Sequence, residues 1–290
     1  MAADSLIKKA HIEETFTPEQ LVEIQRCALD PVYFAMKYIK IQHPLKGSIP
    51  LKLRPYQIEA LRAFEANRFC IMLASRQTGK SLTIAIYILW FACFREDKAI
   101  VVASNKNSNA MEIIHRIKYA YEEMPMWLKP GCVYNTKHEI EFDNGSRIWS
   151  EATTEDTARG KSVSLLMCDE LAFVKKGIQD AFWTSVLPTL STGGSALISS
   201  TPNGDNDLFA QLWRGAELNT NGFHPIRVHW RQRDDIDHDS FEAEMRKKFD
   251  DLTWRVEFEL EFLSSEATAV DQIALKRQIA EVPTDVIKDF

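Results

Sequence analysis

Gly79-Lys80-Ser81 is the stretch that most constrains this chain, because it lies between two strongly apolar segments. The residues before it, 69–74, form a short apolar run of strand type, and residues 80–94 have the apolar character of a buried helix. A loop between a strand and a helix can cradle phosphate groups with its backbone N–H groups, while a lysine reaches the β and γ phosphates and the next hydroxyl binds Mg²⁺. The sequence therefore predicts a nucleotide-binding loop that ends in these three residues.

The rest of the predicted loop consists of Ser75, Arg76, Gln77 and Thr78, and we expect these residues to contact the nucleotide, ATP. Ala74 stands where the common form of the motif has glycine. Alanine is small, so the loop can close as long as the backbone at Ala74 avoids a positive φ angle.

A second element of such a site is the acidic pair Asp169-Glu170, which follows the apolar run 164–168. In a phosphoryl-transfer site, the first carboxylate would hold Mg²⁺ through water and the second would polarise the attacking water. An acidic pair alone could equally end an ordinary surface strand. Combined with the phosphate loop, it predicts ATP and Mg²⁺ as cofactors and Glu170 as the catalytic carboxylate, with Ser81 and Asp169 as the metal ligands.

Small hydroxyl residues follow a further apolar run, in the segment 199–204. Ser200, Thr201, Pro202 and Asn203 are candidates for coupling residues, which would sense the γ phosphate and transmit its loss to the following chain. A simple turn is the alternative, since Pro-Asn-Gly is also turn chemistry. This stretch alone leaves both interpretations open.

Gln57, in the segment 53–57, lies upstream of the phosphate loop. Its amide offers a donor and an acceptor with which it could read the adenine edge, although a lone glutamine is more often a surface residue. We therefore predict Gln57 as a nucleotide-binding residue.

Two arginines are candidates for stabilising the charge that gathers on the γ phosphate during transfer, a contribution of roughly 10³ to 10⁵ in rate. Arg76 lies inside the predicted loop, and Arg159 lies upstream of Glu170. Either could equally be a surface arginine, so the sequence alone does not choose between them.

Apolar runs alternate with helical patterns along most of the chain, which predicts an α/β fold. Buried strands separated by helices favour a mostly parallel sheet with helices on both faces. We expect helices at 17–43, 55–66, 80–94, 106–123 and 240–262, a loop at 44–50, strands at 69–74, 99–103, 164–168, 196–200 and 226–229, and a β-hairpin over 133–148.

The overall charge limits the partners of the chain. Its net charge is −6 at neutral pH, whereas dedicated DNA-binding domains are usually basic. Any hold on nucleic acid should therefore be local, transient or shared with another domain. No long uncharged apolar run is present in the sequence, so we expect no membrane-spanning segment.

The order of these motifs resembles the ATPase domain of the large terminase subunit, the DNA-packaging motor of tailed bacteriophages, and its myovirus branch most of all. The likeness runs over residues 50–265, and the family's phosphate loop tolerates a non-glycine first position, which accounts for Ala74. The resembling segments are LRPYQ (53–57), SRQTGKS (75–81), MCDE (167–170), SSTPNG (199–204) and WRVEFELEFLS (254–264).

The resemblance implies a phosphate-loop NTPase of the RecA-like, ASCE type and assigns roles by position. Lys80 and Ser81 would hold phosphate and Mg²⁺, Asp169 would support the metal ion, and Glu170 would be the catalytic carboxylate. Thr201 and its neighbours would couple hydrolysis to movement.

The two arginines receive different roles from the resemblance. Arg76 matches a loop arginine that acts near the γ phosphate of its own chain, and Arg159 matches an arginine that some members present to a neighbour's ATP. The implied assembly is a ring homo-oligomer on the portal protein, working with the small terminase subunit on double-stranded DNA, in the host cytoplasm and with no membrane.

The resemblance also implies a domain organisation. Residues 51–205 would form the ATPase core, 1–50 and 206–265 a small lid subdomain, and 266–290 a linker tail. Family members usually carry a further RNase H-like nuclease domain. The tail is too short for one, so we expect an isolated ATPase domain without nuclease activity.

Two other functions fit parts of the pattern. A superfamily 2 helicase-like ATPase would share the phosphate loop but would need a second RecA-like domain. A nucleotide-gated assembly module would bind ATP with little turnover when isolated. Dependence of specific activity on protein concentration would indicate that a neighbouring chain supplies the arginine.

Overall fold

The computed structural model describes residues 6–158 and 160–264. Its α-helices are α1 (Pro18–Leu29), α2 (Pro31–Tyr38), α3 (Pro55–Ala66), α4 (Lys80–Phe94), α5 (Asn107–Glu123), α6 (Lys176–Val186), α7 (Leu208–Glu217), α8 (His238–Arg246) and α9 (Asp251–Glu257). Its strands are β1 (Lys40–His43), β2 (Gly47–Pro50), β3 (Phe69–Ala74), β4 (Ala99–Ser104), β5 (Cys132–Thr136), β6 (Glu139–Phe142), β7 (Arg147–Ala152), β8 (Leu165–Asp169), β9 (Ser195–Ser200) and β10 (His224–Val228).

Eight strands form one sheet in the order β10-β3-β9-β8-β4-β7-β6-β5, and β1 and β2 form a separate antiparallel pair. Neighbours from β10 to β7 are parallel, whereas β6 and β5 are added antiparallel. The carboxyl ends of β3, β9, β8 and β4 therefore meet at one edge, where ligands bind in open α/β sheets. The predicted mostly parallel sheet is confirmed.

Both faces of the sheet are covered by helices, as predicted. Successive side chains of a strand point to opposite faces. In β3, Cys70 and Met72 belong to the core cluster that includes the apolar residues of α4, whereas Ile71 and Leu73 belong to the cluster that includes α7. The alternation places the strand that precedes the phosphate loop at the centre of the hydrophobic core.

The predicted helix over 17–43 is wrong. The chain forms two helices and then β1, because Pro31 lacks the N–H that would continue α1. The side chain of Asp30 accepts a hydrogen bond from Val32 N and so starts α2. The predicted loop at 44–50 is partly wrong as well, since β2 pairs with β1.

The hairpin and the last helix also differ from the expectation. The turn containing Gly145 joins β6 to β7 as predicted, but β5 adds a third strand and β7 also pairs in parallel with β4. The predicted helix 240–262 is divided into α8 and α9, because Asp250 caps the second helix by accepting from Thr253 N. Helices α6 and α7 were not predicted individually.

The two chain regions assigned to the expected lid contact different parts of the molecule. In the first region, Trp90 Nε1 of α4 donates to the carbonyl of Cys27 in α1 at 2.7 Å. In the second, Trp254 stacks on Phe258 at a ring distance of 4.6 Å, within a small cluster that also contains Trp230. The division into a 51–205 core and a lid stays a prediction, and the expected linker tail lies outside the described residues.

Membrane insertion was not expected from the sequence. Within residues 6–158 and 160–264, no helix combines the length and the apolar character needed to cross a membrane.

Candidate active site

The phosphate loop connects β3 to α4 with the backbone geometry that the motif requires. Positive φ angles occur at Gln77, at 65°, and at Gly79, at 79°, and Ala74 is an ordinary residue of β3. A Cβ atom on Gly79 would lie 2.9 Å from Nε2 of Gln57. Glycine is therefore required at position 79, whereas alanine is tolerated at position 74.

The first half of the loop is tied to the C-terminal part of the described chain. Ser75 N donates to Val228 O at 2.8 Å, and the Ser75 hydroxyl donates to Phe258 O at 2.7 Å. Arg76 N donates to Glu257 O at 2.9 Å. Because these two N–H groups already have protein acceptors, the N–H groups available to phosphate are those further along the loop.

Lys80 brings the loop and the acidic pair together. Its Nζ lies 2.6 Å from Oε1 of Glu170 and 3.0 Å from Oδ1 of Asp169. Burial acts to lower the pKa of Lys80, but the two carboxylates outweigh it and raise this pKa above its usual value. The amino group is therefore a cation held at the carboxyl ends of β3 and β8.

Glu170 adopts a conformation that is uncommon for a residue with a side chain. Its backbone lies in the left-handed region, at φ 56° and ψ 42°, where it starts the short 3₁₀ turn Leu171–Phe173. Such strain persists only where the surrounding contacts enforce it, and it is concentrated at functional sites. The Ser200 hydroxyl lies 3.4 Å from Oε2 of Glu170 and helps to fix the carboxylate.

The predicted coupling segment contacts both acidic residues and the turn that follows them. Ser199 Oγ donates to Oδ1 of Asp169 at 2.6 Å. Ser200 Oγ accepts from Ala172 N at 3.3 Å, and Asn203 Nδ2 donates to Ala172 O at 3.0 Å. Of the two remaining candidates, Thr201 lines the cleft described below and Pro202 is buried.

A cleft of about 540 Å³ lies in front of the loop. Ala74 through Leu82 line it together with Glu170 and Thr201, so most of the predicted residues are brought together. The sequence did not single out five other lining residues, and the only available signal was that three of them follow a predicted strand: Asn105, Asn109, Arg116, Phe173 and Glu257.

The predicted arginines and Gln57 are placed differently from one another. Arg76 lines the cleft with a half-exposed guanidinium, whose nitrogens lie 3.3 and 3.4 Å from the Glu257 carboxylate. Gln57 is buried, and its amide bonds to Arg54 N and to the hydroxyl of Thr83, each at 3.0 Å. Arg159 lies outside the described residues, so its role stays a prediction.

The residues present fit a magnesium ion. Ser81 offers a hydroxyl at the cleft and Asp169 a carboxylate, and Mg²⁺ prefers such oxygen ligands. Among the described residues, no group of three or more His, Cys, Asp or Glu could form a metal centre by itself. A small protein ligand set suits Mg²⁺, which takes its other ligands from water and phosphate.

The fold and the site together define a phosphate-loop NTPase domain, with the loop after β3, the acidic pair after β8 and the hydroxyl segment after β9. The family model "Terminase large subunit, T4likevirus-type, N-terminal" matches residues 71–270. The chain belongs to this family, which confirms the resemblance noted in its motifs.

Solved structures of large terminases share the fold. The ATPase domain of the Thermus phage P74-26 large terminase has 19% identity, with a TM-score of 0.57, over 73% of this chain and all of that domain. The bacteriophage HK97 large terminase gives 16%, 0.59, 85% and 51%, respectively. The large terminase of a thermophilic bacteriophage, solved in complex with ADP, gives 11%, 0.60, 73% and 54%. This chain thus spans about half the length of the last two proteins.

Proposed function

We propose that this chain is a Mg²⁺-dependent ATPase domain that powers the translocation of double-stranded DNA into a procapsid. The observation that carries the proposal is the position of Lys80, between the phosphate loop and the carboxylates of Asp169 and Glu170. Family membership supports the DNA-packaging role. Nucleotide binding is supported by the large terminase of the thermophilic bacteriophage, which has been solved with ADP and with ATP-γ-S.

The residues of the cleft can perform hydrolysis in a defined order. The Lys80 ammonium would exchange its carboxylate partners for the β and γ phosphates, which releases Glu170 to orient a water molecule. Ser81 and Asp169 would hold Mg²⁺, which when bound neutralises charge on the phosphates. The N–H groups toward the end of the loop would donate to the phosphate oxygens.

The coupling segment gives the site a route to the rest of the domain. Ser200 and Asn203 bond to Ala172, inside the turn that Glu170 starts. Gln179 then joins that turn to α7, since its Nε2 donates to Val174 O at 2.7 Å and its Oε1 accepts from Leu208 N at 2.8 Å. Movement of Glu170 on loss of phosphate would thus reach α7 through direct hydrogen bonds.

The motor would work as a ring of identical chains on the portal protein, together with the small terminase subunit, in the host cytoplasm. Arg76 is the candidate for stabilising the γ phosphate within the chain, and Arg159 is the candidate for acting on a neighbour's ATP. The acidic net charge of −6 supports transient contact with DNA by this domain.

Phosphate release from ATP, measured with Mg²⁺ and after chelation, tests this function. We expect turnover with Mg²⁺ and none after chelation. Binding of MgATP without phosphate release at every protein concentration would contradict the ATPase and would favour a nucleotide-gated assembly module.

A further inference from the structure

The first turn of α3 packs directly against the inner side of the phosphate loop. Tyr56 Oη donates to the carbonyl of Thr78 at 3.0 Å, and Gln57 Nε2 donates to Oγ1 of Thr83 at 3.0 Å. All four residues are at most 5% exposed. The loop therefore has a buried polar support on the side that faces away from the cleft.

Gln57 links this support to the one glycine that the loop requires. Thr83 Oγ1 accepts from Gln57 and donates in turn to Gly79 O at 3.1 Å. The Gln57 amide nitrogen also occupies the space that a side chain at position 79 would need. The other end of the amide accepts from Arg54 N, in the capping box that starts α3.

We propose that Tyr56 and Gln57 are positioning residues that hold Thr78 and Gly79 in the shape that receives the phosphates. This inference rests on the proposed nucleotide site. A glutamine that reads adenine needs a free amide edge, whereas both ends of the Gln57 amide are bonded within the protein. Moreover, the residues that line the cleft include neither Tyr56 nor Gln57.

The two roles of Gln57 predict different ligand preferences. A residue that shapes the phosphate loop affects every ligand with a polyphosphate chain, with or without a base. A residue that reads adenine affects ATP alone. Inorganic tripolyphosphate with Mg²⁺ is therefore the informative probe, because it carries the phosphates without the base.

The variants are Gln57→Ala, Tyr56→Phe and Thr83→Val, each of which removes one part of the support. Gln20→Ala is the matched control, because Gln20 holds the same capping-box position in α1 and accepts from Thr17 N at 2.9 Å. Calorimetric titration gives the affinities for MgATP and Mg-tripolyphosphate. Hydrogen exchange of residues 75–84 in nucleotide-free protein gives a readout that needs neither binding nor activity.

We expect Gln57→Ala to weaken MgATP and Mg-tripolyphosphate by the same factor, about tenfold, which is the scale of one buried hydrogen bond. Tyr56→Phe should weaken both ligands as well, and the effects of Gln57→Ala and Thr83→Val should be non-additive, since the two residues share one hydrogen bond. Exchange over 75–84 should be faster in Gln57→Ala and unchanged in Gln20→Ala.

Weakening of MgATP alone, or no weakening of either ligand, would overturn the inference in favour of adenine reading or of a purely structural glutamine. Unchanged exchange over 75–84 would overturn it independently of any ligand. Failure of the wild-type chain to bind either ligand would instead overturn the proposed nucleotide site. In that case the exchange measurement still decides whether Gln57 supports the loop.

Discussion

The amino group of Lys80 lies 2.6 Å from Oε1 of Glu170, so the proposed phosphate-binding cation and the proposed catalytic carboxylate neutralise each other in the nucleotide-free chain. Lys80 is 10% exposed, and opposite charges attract strongly in such a shielded place. ATP must compete with Glu170 for this cation. Binding of nucleotide and release of the carboxylate for catalysis are thus the same event in this account.

Lys80→Ala should lose both MgATP binding and hydrolysis, because it removes the phosphate-binding cation and leaves Asp169 and Glu170 unneutralised. Titration calorimetry with MgATP measures the loss, which we expect to exceed about a hundredfold in affinity, two charge-assisted contacts being removed. Lys46→Ala, at an exposed lysine in the β1–β2 connection, is the control and should bind normally. Retained affinity in Lys80→Ala would argue against the phosphate loop.

Gln179→Leu should destabilise the domain, because Gln179 is 2% exposed and its amide serves Val174 O and Leu208 N. Leucine would leave both groups buried and unpaired, at a cost of about 2–4 kcal/mol in the free energy of unfolding. Urea unfolding measures this difference. Gln211→Leu, at an exposed position of α7, should change the same quantity little, and equal effects of the two substitutions would refute the role of Gln179 as a joint.

Glu23→Gln should change how stability depends on acid pH. Hydrogen bonds from Lys37 first, and then from Tyr33 and Tyr38, lower the pKa of Glu23 from 4.5 to about 2. Because the folded-state pKa is the lower one, Glu23 contributes stability that is fully present above pH 4.5 and is lost as the pH falls through about 2.

Urea unfolding of the wild type and of Glu23→Gln across this pH window checks the sign. The wild type should be the more stable protein at pH 7, and the difference should shrink toward pH 2. A difference that stays constant with pH would show that the carboxylate does not stabilise the contact between α1 and α2.

Arg76→Ala tests the arginine that the structure describes. The half-exposed guanidinium lines the cleft and has only long contacts, of 3.3 and 3.4 Å, with Glu257. If it stabilises the γ phosphate within its own chain, the substitution should lower kcat by about 10³ or more while MgATP affinity changes little. Steady-state kinetics and calorimetry on the same preparation separate the two effects, and an unchanged kcat would leave that role to Arg159.

The elements that form the site could be predicted from sequence because their signals are local. Strand β3 and helix α4 begin and end at the predicted residues. Each is an uninterrupted apolar segment on one side of a loop with a positive-φ glycine. The acidic pair could be found for the same reason, since it directly follows a buried strand.

The remaining parts depend on contacts between distant residues, which a single sequence does not reveal. Glu257 reaches the loop from a helix far along the chain, and Arg116 enters the cleft only because β4 lies beside β8. Gln57 illustrates the limit most clearly. Its residue type suggested adenine recognition, but only the fold shows that its amide faces Thr83 and Gly79.

The most direct test of the central claim is steady-state ATP hydrolysis by this chain over a wide range of protein concentration, with Glu170→Gln as the comparison. We predict turnover by the wild type and a loss of about 10² to 10⁴ in the variant, the usual contribution of a catalytic base, with MgATP binding retained. Turnover that rises with concentration would assign the arginine to a neighbouring chain, and a constant specific activity would assign it to Arg76. Normal turnover by Glu170→Gln would contradict the account.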